Sequence, residues 1–340
     1  MLIFATRRQA LLNMKRLCGI FIVCLVLPQV QLFAQSRAVM SRYAEQIASQ
    51  MELVYNAPTD NERYHASENV VALFQEALSQ EDSFKWKWDF GSRVSVLTAP
   101  DGMFRIITWP VVRDNGEYEC FGFVQAYDSE EEEYSVYVLN DKSSETVNRN
   151  EAVLGPTEWF GAVYQELIQT SYDGNSYYTL LGWSGVDYLT QRKVIEPVWF
   201  KRGSSTPIFG QALFRRDRNR RRVVIEYTHD AMVNLRYETQ YVREVETKRV
   251  KVKGSKRPVI VQENHDSKQK MILFDEVAPR VPGMEGLYRY YIPTGTELAY
   301  SFVKGKWELV DGAQGRSDDK RLNKPFEPLT KEAPRYQMEK

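Results

Sequence analysis

The chain has 340 residues, with 45 basic and 45 acidic side chains, so its formal net charge is zero. That balance gives no electrostatic footprint for a nucleic-acid partner, and a chain of this length buries enough surface to fold without staples. Only three cysteines occur, Cys18, Cys24 and Cys120, too few and too scattered for a cysteine-based zinc site.

The N-terminus carries an export pattern. Residues Leu17–Leu27 are almost unbroken apolar, Arg7, Arg8, Lys15 and Arg16 precede them, and no acidic residue occurs before Glu45. A basic segment, a short apolar run and a small residue at its end form a secretory signal peptide. The run is too short for a membrane span of roughly 20 apolar residues. The expected cut follows Ala34, with Leu32 at the −3 position, and Met14 is an alternative start. Cys18 lies too early and Cys24 follows Val23, so neither suits a lipid anchor. Removing residues 1–34 takes away four basic residues and no acidic one, leaving a net charge of about −4 and Cys120 as the sole cysteine.

A helical hairpin follows, over 35–80. Met40, Tyr43, Ala44, Ile47, Met51 and Val54 recur at helical spacing, and Pro58 ends that run. Thr59-Asp60-Asn61-Glu62 is a capping-box pattern. A second helix runs to about Ser79 with Tyr64, Val70, Val71, Phe74 and Leu78 inward.

Alternation replaces the helical period at Phe84. Phe84, Trp86 and Trp88 alternate with Lys85, Lys87 and Asp89, which predicts a strand. Further strands are expected at 93–99, 103–111, 118–127 and 134–140. Pro100-Asp101-Gly102 and Asp114-Asn115-Gly116 supply turns between them. Residues 81–141 thus read as an antiparallel meander packed with the hairpin, and 142–156 as a linker. A second antiparallel region spans 157–311. Its strands are expected at 162–169, 177–183, 193–200, 222–227, 233–237, 241–252, 258–263, 271–274, 287–292, 297–303 and 306–310. Pro293-Thr294-Gly295 and Lys304-Gly305-Lys306 read as its last turns, and 312–340 as a polar disordered tail. The fold class is α+β: a helical hairpin followed by mainly antiparallel sheet, of meander, sandwich or barrel type. The tryptophan spacing is irregular and gives a propeller no support.

No catalytic, cofactor-binding or metal-binding set emerges, and no cofactor is expected. His65, His229 and His265 stand at unrelated places without ligand spacing. Gly182-Trp183-Ser184-Gly185 lacks the second glycine of a nucleophile elbow, because Val186 occupies that place. Asp89-Phe90-Gly91 comes without a phosphate loop or a catalytic loop. Asp173-Gly174-Asn175 and Ser184-Gly185-Val186-Asp187 have the oxygen-rich composition of calcium loops, which Asx-Gly turns also produce. Arg215, Arg216, Arg218, Arg220, Arg221 and Arg222 form a basic run, a candidate patch for an anionic partner. Lys248, Arg249, Lys251, Lys253, Lys256 and Arg257 form a second, which also suits a guarded edge strand.

Tyr177-Tyr178-Thr179-Leu180-Leu181-Gly182-Trp183 and Arg192-Lys193-Val194-Ile195 are followed by Val224-Ile225-Glu226-Tyr227, Leu273-Phe274-Asp275 and Lys304-Gly305-Lys306-Trp307. In this order these words resemble a family of uncharacterised exported bacterial proteins. The family pattern has Asp where Ser184 stands, and Glu244–Asp266 is long for it, as an insertion would be. The resemblance implies export and a place in the cell envelope, and carries no activity.

The leading expectation is a non-enzymatic envelope protein, periplasmic or outer-membrane-associated and membrane-peripheral at most, that binds an envelope protein or glycan. One alternative is an envelope-polymer hydrolase using paired carboxylates such as Asp275 with Glu276 or Asp173 with Asp187. A structural subunit of an envelope assembly is the other, and it predicts a large exposed apolar patch. The oligomeric state is not legible.

Overall fold

The computed structural model describes residues 36–250 and 259–310, and of 241–250 and 259–266 the backbone alone. The signal-peptide reading at 1–34, the tail reading at 312–340 and much of the second basic run lie outside the described residues. Among the described residues, no helix is long and apolar enough to cross a membrane.

Helix α1 covers 36–56 and helix α2 covers Asp60–Leu78. The capping box forms as read: Glu62 N donates to Thr59 Oγ1 at 3.4 Å and Thr59 N donates to Glu62 Oε2 at 3.3 Å. Met40, Ile47, Met51 and Val54 of α1 and Val70, Phe74 and Ala77 of α2 are buried together in one core. A single face of each helix therefore meets the sheet below.

The predicted strand at 84–89 does not form. Ser83–Lys85 makes one 3-10 turn, and the chain then runs irregularly past Trp86, Trp88 and Phe90. Arg105 explains part of this, because its guanidinium donates to the Ser83 and Phe84 carbonyls that a ladder would need. The Trp88 and Phe90 rings pack instead on α2, 5.4 Å and 5.8 Å from Phe74, and the Phe84 ring stacks on Tyr134 at 3.8 Å.

The first sheet is an antiparallel meander of β1 (Ser95–Thr98), β2 (Phe104–Val112), β3 (Tyr118–Asp128) and β4 (Glu133–Asn140). The second contains β5 (Val163–Tyr172), β6 (Asn175–Gly185), β7 (Thr190–Phe200), β8 (Pro207–Phe209) and β9 (Val223–Thr228). Both β8 and β9 pair with β7, at its two ends. The third runs in order through β10 (Leu235–Val250), β11 (Val259–Pro279), β12 (Tyr291–Val303) and β13 (Lys306–Val310).

Strand alternation stacks these sheets. Ile107, Trp109 and Val111 of β2 face the helices, while Phe104 and Ile106 face the second sheet with Tyr164, Leu180, Val194 and Val198. The opposite face of the second sheet, with Leu181, Ile195 and Ile225, meets Ile272, Phe274 and Trp307 of the third. The molecule is thus four layers: helices, sheet, sheet, sheet. Two of its sheets are covered on both faces, so β2 and β7 are buried along most of their length.

Four boundaries differ from the sequence reading. Of the strand expected at 287–292 only Tyr291 and Ile292 join β12, because Tyr288–Tyr290 makes a 3-10 turn. Residues 235–237 and 241–250 fall on one strand rather than two, and so do 259–263 and 271–274. The polar residues between each pair are held by cross-strand backbone pairing, which needs no apolar alternation. Pro293-Thr294-Gly295 is no turn. It lies inside β12, where the register slips between Asp275 and Val277, and Gly295 at φ 85° takes up the irregularity.

Candidate functional site

Strand β7 carries Arg192-Lys193-Val194-Ile195-Glu196, and the stretch entering β9 carries Arg222-Val223-Val224-Ile225-Glu226. The two pair antiparallel, with Arg192 opposite Glu226 and Val194 opposite Val224. Each arginine of one pentad therefore meets the glutamate of the other. Arg192 Nε lies 2.9 Å from Glu226 Oε2, and Arg222 Nε lies 2.6 Å from Glu196 Oε1. Alternation points both pairs at the first sheet, beside Val194 and Val198.

Residues after β4 close over this charged layer. The Phe160 ring sits between the guanidiniums, 5.8 Å from that of Arg192 and 5.3 Å from that of Arg222. Tyr164 Oη donates to Glu196, and Trp159 Nε1 donates to Tyr164 Oη at 2.9 Å. Arg149 donates to Glu226, while its carbonyl accepts from Arg222 Nη1 at 2.6 Å. Glu196 and Arg222 are fully buried, so this end is sealed. Sequence reading missed the layer, although the repeated Arg-x-x-x-Glu pentad was its signal.

The Arg192 end opens into a cleft of about 460 Å³ where β3, β4, β6 and β7 end. Asp141 forms one wall. Its Oδ2 accepts from Cys120 N and its Oδ1 from Ser143 N, both at 2.8 Å. Gly161, at φ 68°, backs the carboxylate, and a Cβ there would lie 2.1 Å from it, so only glycine fits. Burial raises the Asp141 carboxyl above the usual carboxylate range, although the two backbone donors pull it down. Cys120 beneath is buried, and that burial pushes its thiol far up, so it is no thiolate nucleophile. The rim holds two exposed ion pairs, Arg113 with Glu119 at 3.0 Å and Lys142 with Glu145 at 2.7 Å.

The arginine run at 215–222 is divided by the fold. Arg222 points into the core, Arg220 Nε pairs with Asp217 at 3.1 Å, and Arg215 Nε pairs with Glu308 at 3.1 Å. Arg221 Nη1 donates to the Arg218 carbonyl at 2.8 Å. Arg216 and Arg218 are exposed. The six do not form one surface.

The proposed carboxylate pairs are also not brought together. Asp173 sits in the β5–β6 turn, whereas Asp187 follows the far end of β6. Eleven strand residues, roughly 35 Å, separate them. Asp187 accepts from Leu189 N and Thr190 N at 2.8 and 2.7 Å, an Asx turn. Asp275 accepts from Asn234 N and Nδ2, while Glu276 accepts from Thr294 Oγ1, on the other side of the strand. The two calcium-like loops stand at opposite ends of β6, and no metal-ligating group of three occurs among the described residues. His65 lies 3.6 Å from Glu68 and His229 lies 3.9 Å from Asp230, both near the surface. His265 stands in register opposite Glu244.

That last pair belongs to an arm. Strands β10 and β11 pair from Leu235–Phe274 out to Val250–Val259, but β12 joins β11 only from Met271 inward. Twelve pairs, Thr239–Lys270 to Val250–Val259, therefore form a two-stranded ribbon, roughly 40 Å long. Among the described residues no third strand lines either edge. Of the segment read as an insertion, Glu244–Asp266, residues 244–250 and 259–266 lie in the outer part of this ribbon.

No family model, curated protein or solved structure matches the chain.

Proposed function

We propose that this is an exported, non-enzymatic protein of the cell envelope that acts by docking a partner protein along its β-arm. The arm is the observation that carries the reading. A lone two-stranded hairpin is marginally stable in water, and among the described residues no third strand pairs with the outer part of the arm, 241–250 with 259–266, which leaves open sheet edges there. A partner strand laid against one edge would hydrogen-bond to it, the mode by which extended segments add to open sheets. The basic, acid-free segment before Leu17 and the resemblance to exported proteins support the envelope location.

Two measurements test it. In the native host, fractionation and intact-mass analysis should find the chain outside the cytoplasm, beginning at or near Gln35. A full-length cytoplasmic protein would defeat the export half. A variant in which Asn-Gly replaces residues 242–267 should keep the fold, since the turn joins the paired Tyr241 and Lys268. Cross-linking in intact cells should recover one stoichiometric protein with the wild type and lose it with this variant. A partner retained by the shortened chain, or no partner with the wild type, would defeat the docking half.

A further inference from the structure

The geometry points to a second, independent binding site: the cleft at Arg192 takes a neutral saccharide. Its floor is a charged group that the fold leaves partly unused. The Arg192 side chain is 4 % exposed, and its Nε is held by Glu226. Neither of its Nη nitrogens donates to a described residue. Phe160 supports the guanidinium plane from behind. What remains is a fixed fork of N–H groups directed at the cleft. Across from it, the Asp141 oxygens accept the Cys120 and Ser143 N–H groups, and with the Ser143 hydroxyl also at this carboxylate, acceptor capacity still remains.

The rest of the lining decides the ligand class. Five acidic side chains stand against three basic ones, Arg113, Lys142 and Arg192, so an anion meets a net repulsive wall. A bare metal ion lacks a ligand set among the described residues. An apolar ligand would strand the charges, because Tyr118 and Val186 are the only sizeable apolar surfaces. A sugar suits all three conditions. Adjacent hydroxyls both donate and accept, so one pair can bridge the Arg192 fork and the Asp141 oxygens with charge-assisted hydrogen bonds. The half-buried Tyr118 ring, set by an edge-to-face contact with Trp183 at 5.2 Å, offers the apolar face of a sugar a place to lie. The volume falls within the range of roughly 300–1,000 Å³ usual for small-molecule sites.

Saturation-transfer NMR on the whole mature chain tests this at millimolar sugar. The probes are cellobiose, maltose, lactose and N,N′-diacetylchitobiose, with glucuronate and glucosamine as the anionic and cationic comparators. At least one neutral disaccharide should receive saturation, ahead of both comparators. Arg192→Met should weaken that binding tenfold or more. Arg149 still pairs with Glu226 in this variant, so the fold is expected to hold. Ser144→Trp changes an exposed rim residue and fills the cleft without touching the ion pairs, and should weaken binding as strongly. No transfer to any neutral probe, binding of glucuronate alone, or a signal that survives Ser144→Trp would each overturn the assignment.

Discussion

At the scale of single residues, the sealed pair of Glu196 and Arg222 sets the sharpest expectation. Truncating one partner leaves the other charge buried without compensation, a loss of about 3–5 kcal/mol in comparable cases. Arg222→Ala should lower the free energy of unfolding in urea by about that amount. Replacing both residues, as Glu196→Leu with Arg222→Met, should recover most of it, because no orphaned charge remains. Equal losses in the single and double variants would show that packing, not charge, holds this site. The arginine run at 215–222 shows how far composition can be read here. The run is visible as a string of cations, but whether Arg222 points in or out depends on strand parity at β9. Parity in turn depends on pairing with β7, which local sequence does not state. The matching pentads at 192–196 and 222–226 hold that information, and only when read in opposite directions.

At the scale of elements, Arg63 ties the helical hairpin to the first sheet. It donates to the Ala57 carbonyl after α1 and to Asp60 in the first turn of α2. It also reaches the Val112 carbonyl at the end of β2 and Asp114 in the following turn. The Arg63 hydrogen bond holds the Asp114 carboxyl below its ordinary value. A carboxyl depressed by folding adds stability above its unfolded pKa, about 3.9, and loses it as pH falls through the lower folded value. Asp114→Asn should therefore melt below the wild type at neutral pH, and the gap should close in acid below about pH 4. A gap that stays constant into strong acid would show that the carboxylate charge is not its source. Both helices and the capping box were legible because helical periodicity and caps are local signals. The segment 84–90 misled for the same reason: its alternation is real, but the ladder carbonyls go to Arg105, the Trp88 and Phe90 rings to α2 and the Phe84 ring to Tyr134. The arm differed the other way: its strands run on through polar residues that carry no apolar period, because the cross-strand pairing that holds them is made by the backbone.

At the scale of the whole molecule, short strands and turns announced antiparallel sheet, and the fold class followed from them. The stacking order did not, because burial on both faces erases the alternation that would show which side meets which layer. The same layering sets how fast different amides trade protons with solvent. The second sheet lies between two others, so its central amides open only when much of the molecule opens, and hydrogen–deuterium exchange should be slowest along β6 and β7. In the arm the pattern is expected to be periodic. Along each strand of an antiparallel pair every second N–H points away from its neighbour. Alternate amides of 241–250 and 259–266 should therefore exchange within the dead time while those between are retarded. Uniform slow exchange along the arm of the isolated protein would mean that both edges are already covered. On docking, the fast set of one strand alone should slow, and that strand is the edge the partner has taken.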